Sequence, residues 1–406
     1  MFQHETECAG SLRKTSILTF DQPRNLMMQM RNVYTLSSVC LVLSLSVFAD
    51  EASEAVLSEV PKPVKNEQGQ VVSPENMLSD AEDDKDDNIG ELKKPDPIAI
   101  QPPKGRVPAG LVQMGEGEYF SKYAFLLDKS TRTLTIWQNT KNGPKLVEAH
   151  PADMGRRSGD KKVLGDKKTP EGIYFFRTIH EAEMLNYDEY GSRAYTMDYP
   201  NLFDVRARKT GSGIWLHAVP DKKSLYRGSR GCIVVRDDVI TPLGKYIEPS
   251  KTPILVEKQA KYISLKEYKQ KKRELLDWLY AWKRSWEAKK LDDYMSFYSD
   301  EFKSLKMNKQ QWRAYKQNLN TVYDFIRVDV AKPAVFTHNG RLIIRFLQGY
   351  ASNVNSDFGE KVLYAEKNDE GQFEIVAEKW SELPQNLIAL LGKEDGAGQS
   401  SAAKQF

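Results

Sequence analysis

The hydrophobic pattern changes its period once, near residue 262, and that change restricts the chain to two different kinds of folded unit. Before it, short apolar runs alternate with polar turns: YAFLL at 123–127, LTIW at 134–137, GIYFF at 172–176, IWLHAV at 214–219, CIVV at 232–235 and PILVEK at 253–258. Short strands separated by glycine-containing turns predict a mainly β domain over 110–260. After it, Leu275, Trp278, Leu279, Trp282 and Trp286 recur every three or four residues, the spacing of one helical face. Leu291, Tyr294 and Phe297 suggest a second, short helix, and 308–319 a third. Strand-like runs follow at 323–336, 341–352, 359–368 and 372–380, with Asn339-Gly340 as a hairpin turn. Helices followed by an antiparallel sheet predict an α+β domain over 264–382, ending in a polar tail over 383–406.

Only the run at 34–49, YTLSSVCLVLSLSVFA, is apolar enough to enter a membrane, and it is short for a spanning helix. Arg31 precedes it and Val47-Phe48-Ala49 ends it in a cleavable pattern, so 1–49 is expected to be a signal peptide with an upstream extension. Met27, Met28 and Met30 are better-placed starts than Met1. Cleavage at Ala49 would send the chain to the periplasm, with no stable membrane insertion afterwards. It would also remove Cys8 and Cys40, leaving Cys232 from a total of 3 cysteines. Residues 50–106 hold 14 acidic and 7 basic side chains, few aromatics and several prolines, so 50–109 reads as a disordered acidic linker. Lys and Arg total 59 against 56 Asp and Glu, a balance that argues against nucleic acid as a partner.

The chemistry-bearing segment runs from His217, inside a strand pattern, to Ser229-Arg230-Gly231-Cys232 at the head of another. A free thiol, with a pKa of about 8.5, is mostly protonated at neutral pH. An imidazole that takes its proton makes it a nucleophile. Gly231 permits close backbone approach, N–H groups around Gly231 and Cys232 suit an oxyanion, and Arg230 adds positive potential. Taken by itself, a lone buried cysteine after glycine is more often a structural residue than a nucleophile. The histidines at 150, 180, 217 and 338 lack the ligand spacing of a zinc site, so no metal is expected. The glycines form neither a phosphate loop nor a dinucleotide fingerprint.

His217, the gap of about a dozen residues, and Ser229-Arg230-Gly231-Cys232-Ile233 resemble the signature of the L,D-transpeptidase catalytic domain (YkuD-like). Thr169-Pro170-Glu171-Gly172-Ile173-Tyr174 resembles a second motif of that family, and the segment 195–201 resembles one that lines its substrate cleft. The resemblance implies a YkuD-like β-sandwich with Cys232 as nucleophile, His217 as base and the Ala218 carbonyl orienting its ring. It also implies a site formed by Gly231, Ser229 and Arg230, and no cofactor. Residues 264–382 resemble the NTF2-like fold, and the combination resembles two-domain cell-shape proteins that trim peptidoglycan stem peptides as L,D-carboxypeptidases. The partner implied is the stem peptide; the oligomeric state is left open.

Two departures bear on the reaction. Val234 stands where many members have arginine, Arg236 two residues on is expected to supply that charge to substrate, and Ala218 stands where many have glycine. A transpeptidase that forms 3-3 cross-links or attaches proteins to the wall, and an idle wall-binding scaffold, remain the alternatives. Tyr195 and Tyr199 either line the cleft or pack the sheet. Arg156, with Arg157, Lys161 and Lys162, forms a solvated loop or meets substrate carboxylates. Trp278, Trp282 and Trp286 read as helix–sheet packing more readily than as a binding strip.

Overall fold

The computed structural model describes residues 64–65, 69–72, 95–116, 119–226, 228–384 and 386–387. The expected signal peptide and most of the tail lie outside the described residues. Four short strands come first: β1 (Val64–Lys65) and β2 (Val71–Val72), paired antiparallel, then β3 (Arg106–Pro108) and β4 (Leu111–Gln113). Next come β5 (Tyr123–Asp128), β6 (Thr133–Gln138), β7 (Lys145–Pro151), β8 (Gly172–Glu181), helix α1 (Tyr187–Tyr190), β9 (Arg193–Met197) and α2 (Leu202–Arg206). β10 (Trp215–Val219), β11 (Ile233–Arg236), α3 (Asp237–Leu243) and β12 (Pro253–Glu257) complete the first domain.

Eight of these strands form one sheet in the order β11-β10-β9-β8-β12-β5-β6-β7. The β10–β11 and β5–β12 pairs are parallel and the other neighbours antiparallel. Phe125, Ile136, Tyr174, Phe176, Tyr195, Leu216, Ile233 and Ile254 fall in one buried cluster although they come from strands across the sheet. The sheet therefore curls around that cluster, and Ile240 and Leu243 of α3 pack into it. This is the mainly β domain expected from the strand pattern.

After β13 (Tyr262–Ser264) the second domain opens with α4 (Leu265–Glu287). Ser264 accepts from the Glu267 N–H and the Glu267 side chain returns to the Ser264 N–H, a capping box that fixes where the helix starts. α5 (Leu291–Met295), β14 (Lys303–Ser304), β15 (Met307–Asn308) and α6 (Lys309–Val322) follow, then the long strands β16 (Ile326–His338), β17 (Arg341–Ser352), β18 (Ser356–Lys367) and β19 (Phe373–Glu382). Leu275, Leu279, Trp282 and Trp286 of α4 pack against Ile344, Phe346 and Leu363 of the sheet. The tryptophan stripe is thus helix–sheet packing, with Trp278 partly buried at its edge.

Two expectations fail for topological reasons. Leu111–Gln113, expected in the first domain, is the edge strand of the second domain's sheet, whose order is β19-β18-β17-β16-β4. The linker is also not uniformly disordered. Arg106–Pro108 pairs with Tyr262–Ser264, Val71 and Val72 are buried, and Asp96 forms an ion pair with Arg236. The acidic composition of the whole stretch concealed these few anchoring residues.

The domains share a core. Ile173, Phe175 and Leu255 of the first domain cluster with Phe336, Ile343 and Leu347 of the second, with the Phe175 and Phe336 rings edge-to-face at 6.0 Å. Arg345 lies over Phe175, donates to the Ser250 carbonyl at 2.8 Å and to Glu360 at 2.6 Å. Truncating Phe336, which is 2% exposed, removes packing from both domains at once. Phe336→Ala is expected to lower stability by about 3–5 kcal/mol, read from urea unfolding, with both domains melting in one transition.

Candidate active site

β10 and β11 run parallel with Leu216 opposite Ile233 and His217 opposite Val234. Leu216, Ala218, Ile233 and Val235 enter the core, so the alternation of a strand sends His217 and Cys232 to the opposite face. The same registers continue across the sheet: Ala194 of β9 lies opposite both His217 and His180 of β8. His180, Ala194, His217 and Cys232 therefore occupy one face. Tyr190, at the end of α1, covers it, with its ring 5.1 Å from those of both His217 and Trp215. His217 is 4% exposed and so is Cys232.

His217 Nδ1 lies 2.8 Å from the Ala218 carbonyl oxygen. A carbonyl can only accept, so Nδ1 carries the proton and Nε2 is the ring's basic nitrogen. The Cys232 thiol lies 3.6 Å from the Gly213 carbonyl oxygen.

The turn before Cys232 is braced from several elements. Ser229 Oγ donates to the Cys232 carbonyl at 2.6 Å and accepts from the Gly231 N–H at 3.0 Å. Thr169 Oγ1 donates to the Gly231 carbonyl at 2.7 Å and accepts from the Gly155 N–H at 2.9 Å. Asp153 accepts from the Gly228 N–H at 2.6 Å and the Met154 N–H at 2.7 Å, and is ion-paired with Arg132. Burial pushes the Asp153 carboxyl up, against the pull of Arg132 and the two N–H groups. Gly231 has φ +145, and a Cβ there would stand 3.0 Å from both Ile214 Cδ1 and the Lys168 carbonyl oxygen. A side chain at 231 would be strained by conformation and tightly crowded.

Several sequence expectations change here. Tyr195 and Tyr199 are fully buried in the core, Tyr195 opposite Leu216 on the face away from Cys232, so they pack the sheet and do not line the cleft. Tyr199 Oη donates to the Thr210 carbonyl at 3.1 Å. Arg236 is buried and bound to Asp96 and to the Pro220 and Lys223 carbonyls, which ties its guanidinium into the β10–β11 connection and away from substrate duty. The Gly231 N–H is already used by Ser229 Oγ at 3.0 Å, which takes it out of the expected oxyanion pair. Lys161, read as part of a solvated loop, is fully buried and paired with Asp166 at 3.1 Å. Arg156 is exposed and Arg230 half-buried, and the Arg156 N–H donates to the Ser229 carbonyl at 2.9 Å, so both border the cysteine turn.

Sequence reasoning missed Asp153 and His180. Asp153 is one acid in a polar loop, and nothing local marks it as the brace of a turn far along the chain. His180 ends a run that reads as an ordinary strand, and only the sheet register brings it to the face of His217. The bracing is testable. Thr169→Val leaves the Gly231 carbonyl and the Gly155 N–H unpaired and is expected to lower stability by about 1–3 kcal/mol. It should also change the rate at which iodoacetamide alkylates Cys232, measured by intact mass.

A family model for the L,D-transpeptidase catalytic domain matches residues 122–256, and a model for the Cds6 C-terminal NTF2-like domain matches residues 274–379. Among solved structures, Bd1075 of Bdellovibrio bacteriovorus is 39% identical with a TM-score of 0.65, over 69% of this chain and 99% of that one. A mutant of the helical cell shape determining protein Pgp2 from Campylobacter jejuni is 25% identical with a TM-score of 0.55, over 66% of this chain and 94% of that one. A search of curated proteins returned no match. Among the described residues no helix is long and apolar enough to cross a membrane. The chain belongs to the L,D-transpeptidase family of cysteine-dependent enzymes that act on peptidoglycan, in a two-domain form with a C-terminal NTF2-like domain.

Proposed function

We propose that this chain is a periplasmic L,D-carboxypeptidase that removes the terminal D-Ala from tetrapeptide stems of peptidoglycan. The observation that carries the reading is the shared face of His217 and Cys232, with the His217 proton held on Nδ1 by the Ala218 carbonyl. His217 Nε2 takes the thiol proton as Cys232 Sγ attacks the carbonyl carbon between meso-diaminopimelate and D-Ala. The Cys232 N–H faces the oxyanion. The C–N bond breaks, His217 returns the proton to the departing amine, and D-Ala leaves a thioester behind. Water then attacks, His217 takes its proton, the C–S bond breaks and the thiolate is reprotonated.

Water is favoured over a second stem amine by what surrounds β11. Val234 is packed with Val219 and Leu225, and Arg236 is held by Asp96, so the position that is often arginine offers no cation to fix an acceptor peptide. The likeness to Pgp2, a helical cell shape determining protein, supports an effect on cell curvature here. The C-terminal domain is assigned to positioning the wall polymer.

Given excess monomeric disaccharide-tetrapeptide, the purified protein is expected to release 1 D-Ala per stem and leave tripeptide, resolved by liquid chromatography with mass detection. A dominant 3-3 dimer that depends on Cys232 would establish the transpeptidase instead. Cys232→Ala should abolish either product while the thermal transition stays in place, and His217→Ala should slow Cys232 alkylation at neutral pH. The leader lies outside the described residues; N-terminal sequencing of the native protein should find its start near Asp50.

A further inference from the structure

Val71 and Val72 come from a stretch whose composition is that of a linker, yet they are 5% and 7% exposed. Their buried cluster is Leu185, Tyr190, Ala194, Trp215 and Cys232, the apolar surface on the catalytic face of the sheet. Two further contacts tie the stretch to the domain: Gln70 Nε2 donates to the Leu185 carbonyl at 3.4 Å, and downstream Asp96 grips Arg236 at the end of β11. Within the stretch, Val71 and Val72 pair antiparallel with Val64 and Lys65. The chain is thus fastened at the groove beside Cys232 and again at the far end of the strand that Cys232 leads.

The occupant does not complete the groove. His180 shares the face of His217, is 3% exposed and lies against Trp215 with ring centroids 5.2 Å apart, yet its Nε2 has no hydrogen-bond partner among the described residues. An unpaired buried nitrogen costs about 1–3 kcal/mol, and two valines supply nothing to satisfy it. A stem peptide, extended and ending in a carboxylate, would bring acceptors that valine side chains lack.

From these contacts we infer that residues 69–72 are a self-inhibitory strap, which occupies the substrate groove at Cys232 and must leave before a stem peptide enters. The inference rests on Cys232 being the nucleophile of the proposed reaction. With the strap in place only a fraction of molecules is competent, so apparent substrate affinity and thiol reactivity fall by that fraction. Burial of two valines is strong enough to hold the closed form and weak enough for a wall polymer to displace it.

The test uses the full chain with Val71→Asp/Val72→Asp, and separately with residues 64–72 deleted so that no altered side chain remains to misfold. Both are compared with the parent for Cys232 alkylation by iodoacetamide and for turnover of disaccharide-tetrapeptide. Both changes are expected to raise the alkylation rate by about tenfold or more and to lower KM, with the thermal transition retained. Alkylation unchanged or slower in both folded variants would overturn the strap. So would faster alkylation with higher KM and no gain in turnover, since the segment would then be part of the substrate site. If alkylation rises but neither parent nor variants cleave the stem, the strap stands and the proposed reaction fails. If the parent cleaves and neither variant is faster by either measure, the reaction stands and the strap fails.

Discussion

The parallel pairing of β10 with β11 is the constraint on which the site depends. Parallel neighbours cannot be joined by a tight hairpin; the chain must cross back and begin the second strand at the same end as the first. Here the return is the connection 220–232, so the gap between His217 and Cys232 is the length of a crossover. Because the strands are in register with Leu216 beside Ile233, the core takes one set of side chains and the opposite face receives both His217 and Cys232. A shift of one residue would turn one of the pair into the core and put a core hydrophobe on the opposite face in its place.

A crossover is long enough to be loose, and the rest of the domain restrains it. Thr169 and Asp153 reach the turn from two other parts of the chain and, with Ser229 inside it, satisfy the Gly228 N–H, the Gly231 N–H and the Gly231 and Cys232 carbonyls. Arg236 secures the same connection from its other side through the Pro220 and Lys223 carbonyls. Arg236, a substrate contact by the sequence reading, is used here to hold backbone, as burial requires.

The second domain is joined to this arrangement through a common core rather than by a hinge. β4 departs from the segment preceding the catalytic strands, pairs with β16, and the chain then returns to build the first sheet. The cluster around Phe175, Leu255 and Phe336 means that β8 and β12, two strands from the centre of the catalytic sheet, are backed by the NTF2-like domain. Within that domain burial pushes the Lys316 amine down to about 7, and the amine lies 3.9 Å from the Trp286 ring centroid, so its charge is set by the enclosure of tryptophans around it.

Local pattern by itself determined most of the elements and singled out one thiol and one imidazole. The change of period near 262 separated a strand-rich unit from a helix-led one, the Leu275–Trp286 stripe identified the packed face of α4, and the His217…Ser229-Arg230-Gly231-Cys232 segment carried the family resemblance that implies a nucleophile and its base. These are short-range properties, fixed by side-chain alternation and by turn chemistry. Tertiary structure alone decided which polar residues brace backbone and which side chains enter the core, because that depends on the sheet face each strand presents. Tyr195 went to the core since it lies opposite Leu216, and Arg236 was taken by Asp96 from a distant part of the chain. The placement of Val71 and Val72 beside Cys232, in a stretch whose net acidity reads as linker, was decided in the same way. Two buried side chains are enough to anchor a segment, and average composition does not register them.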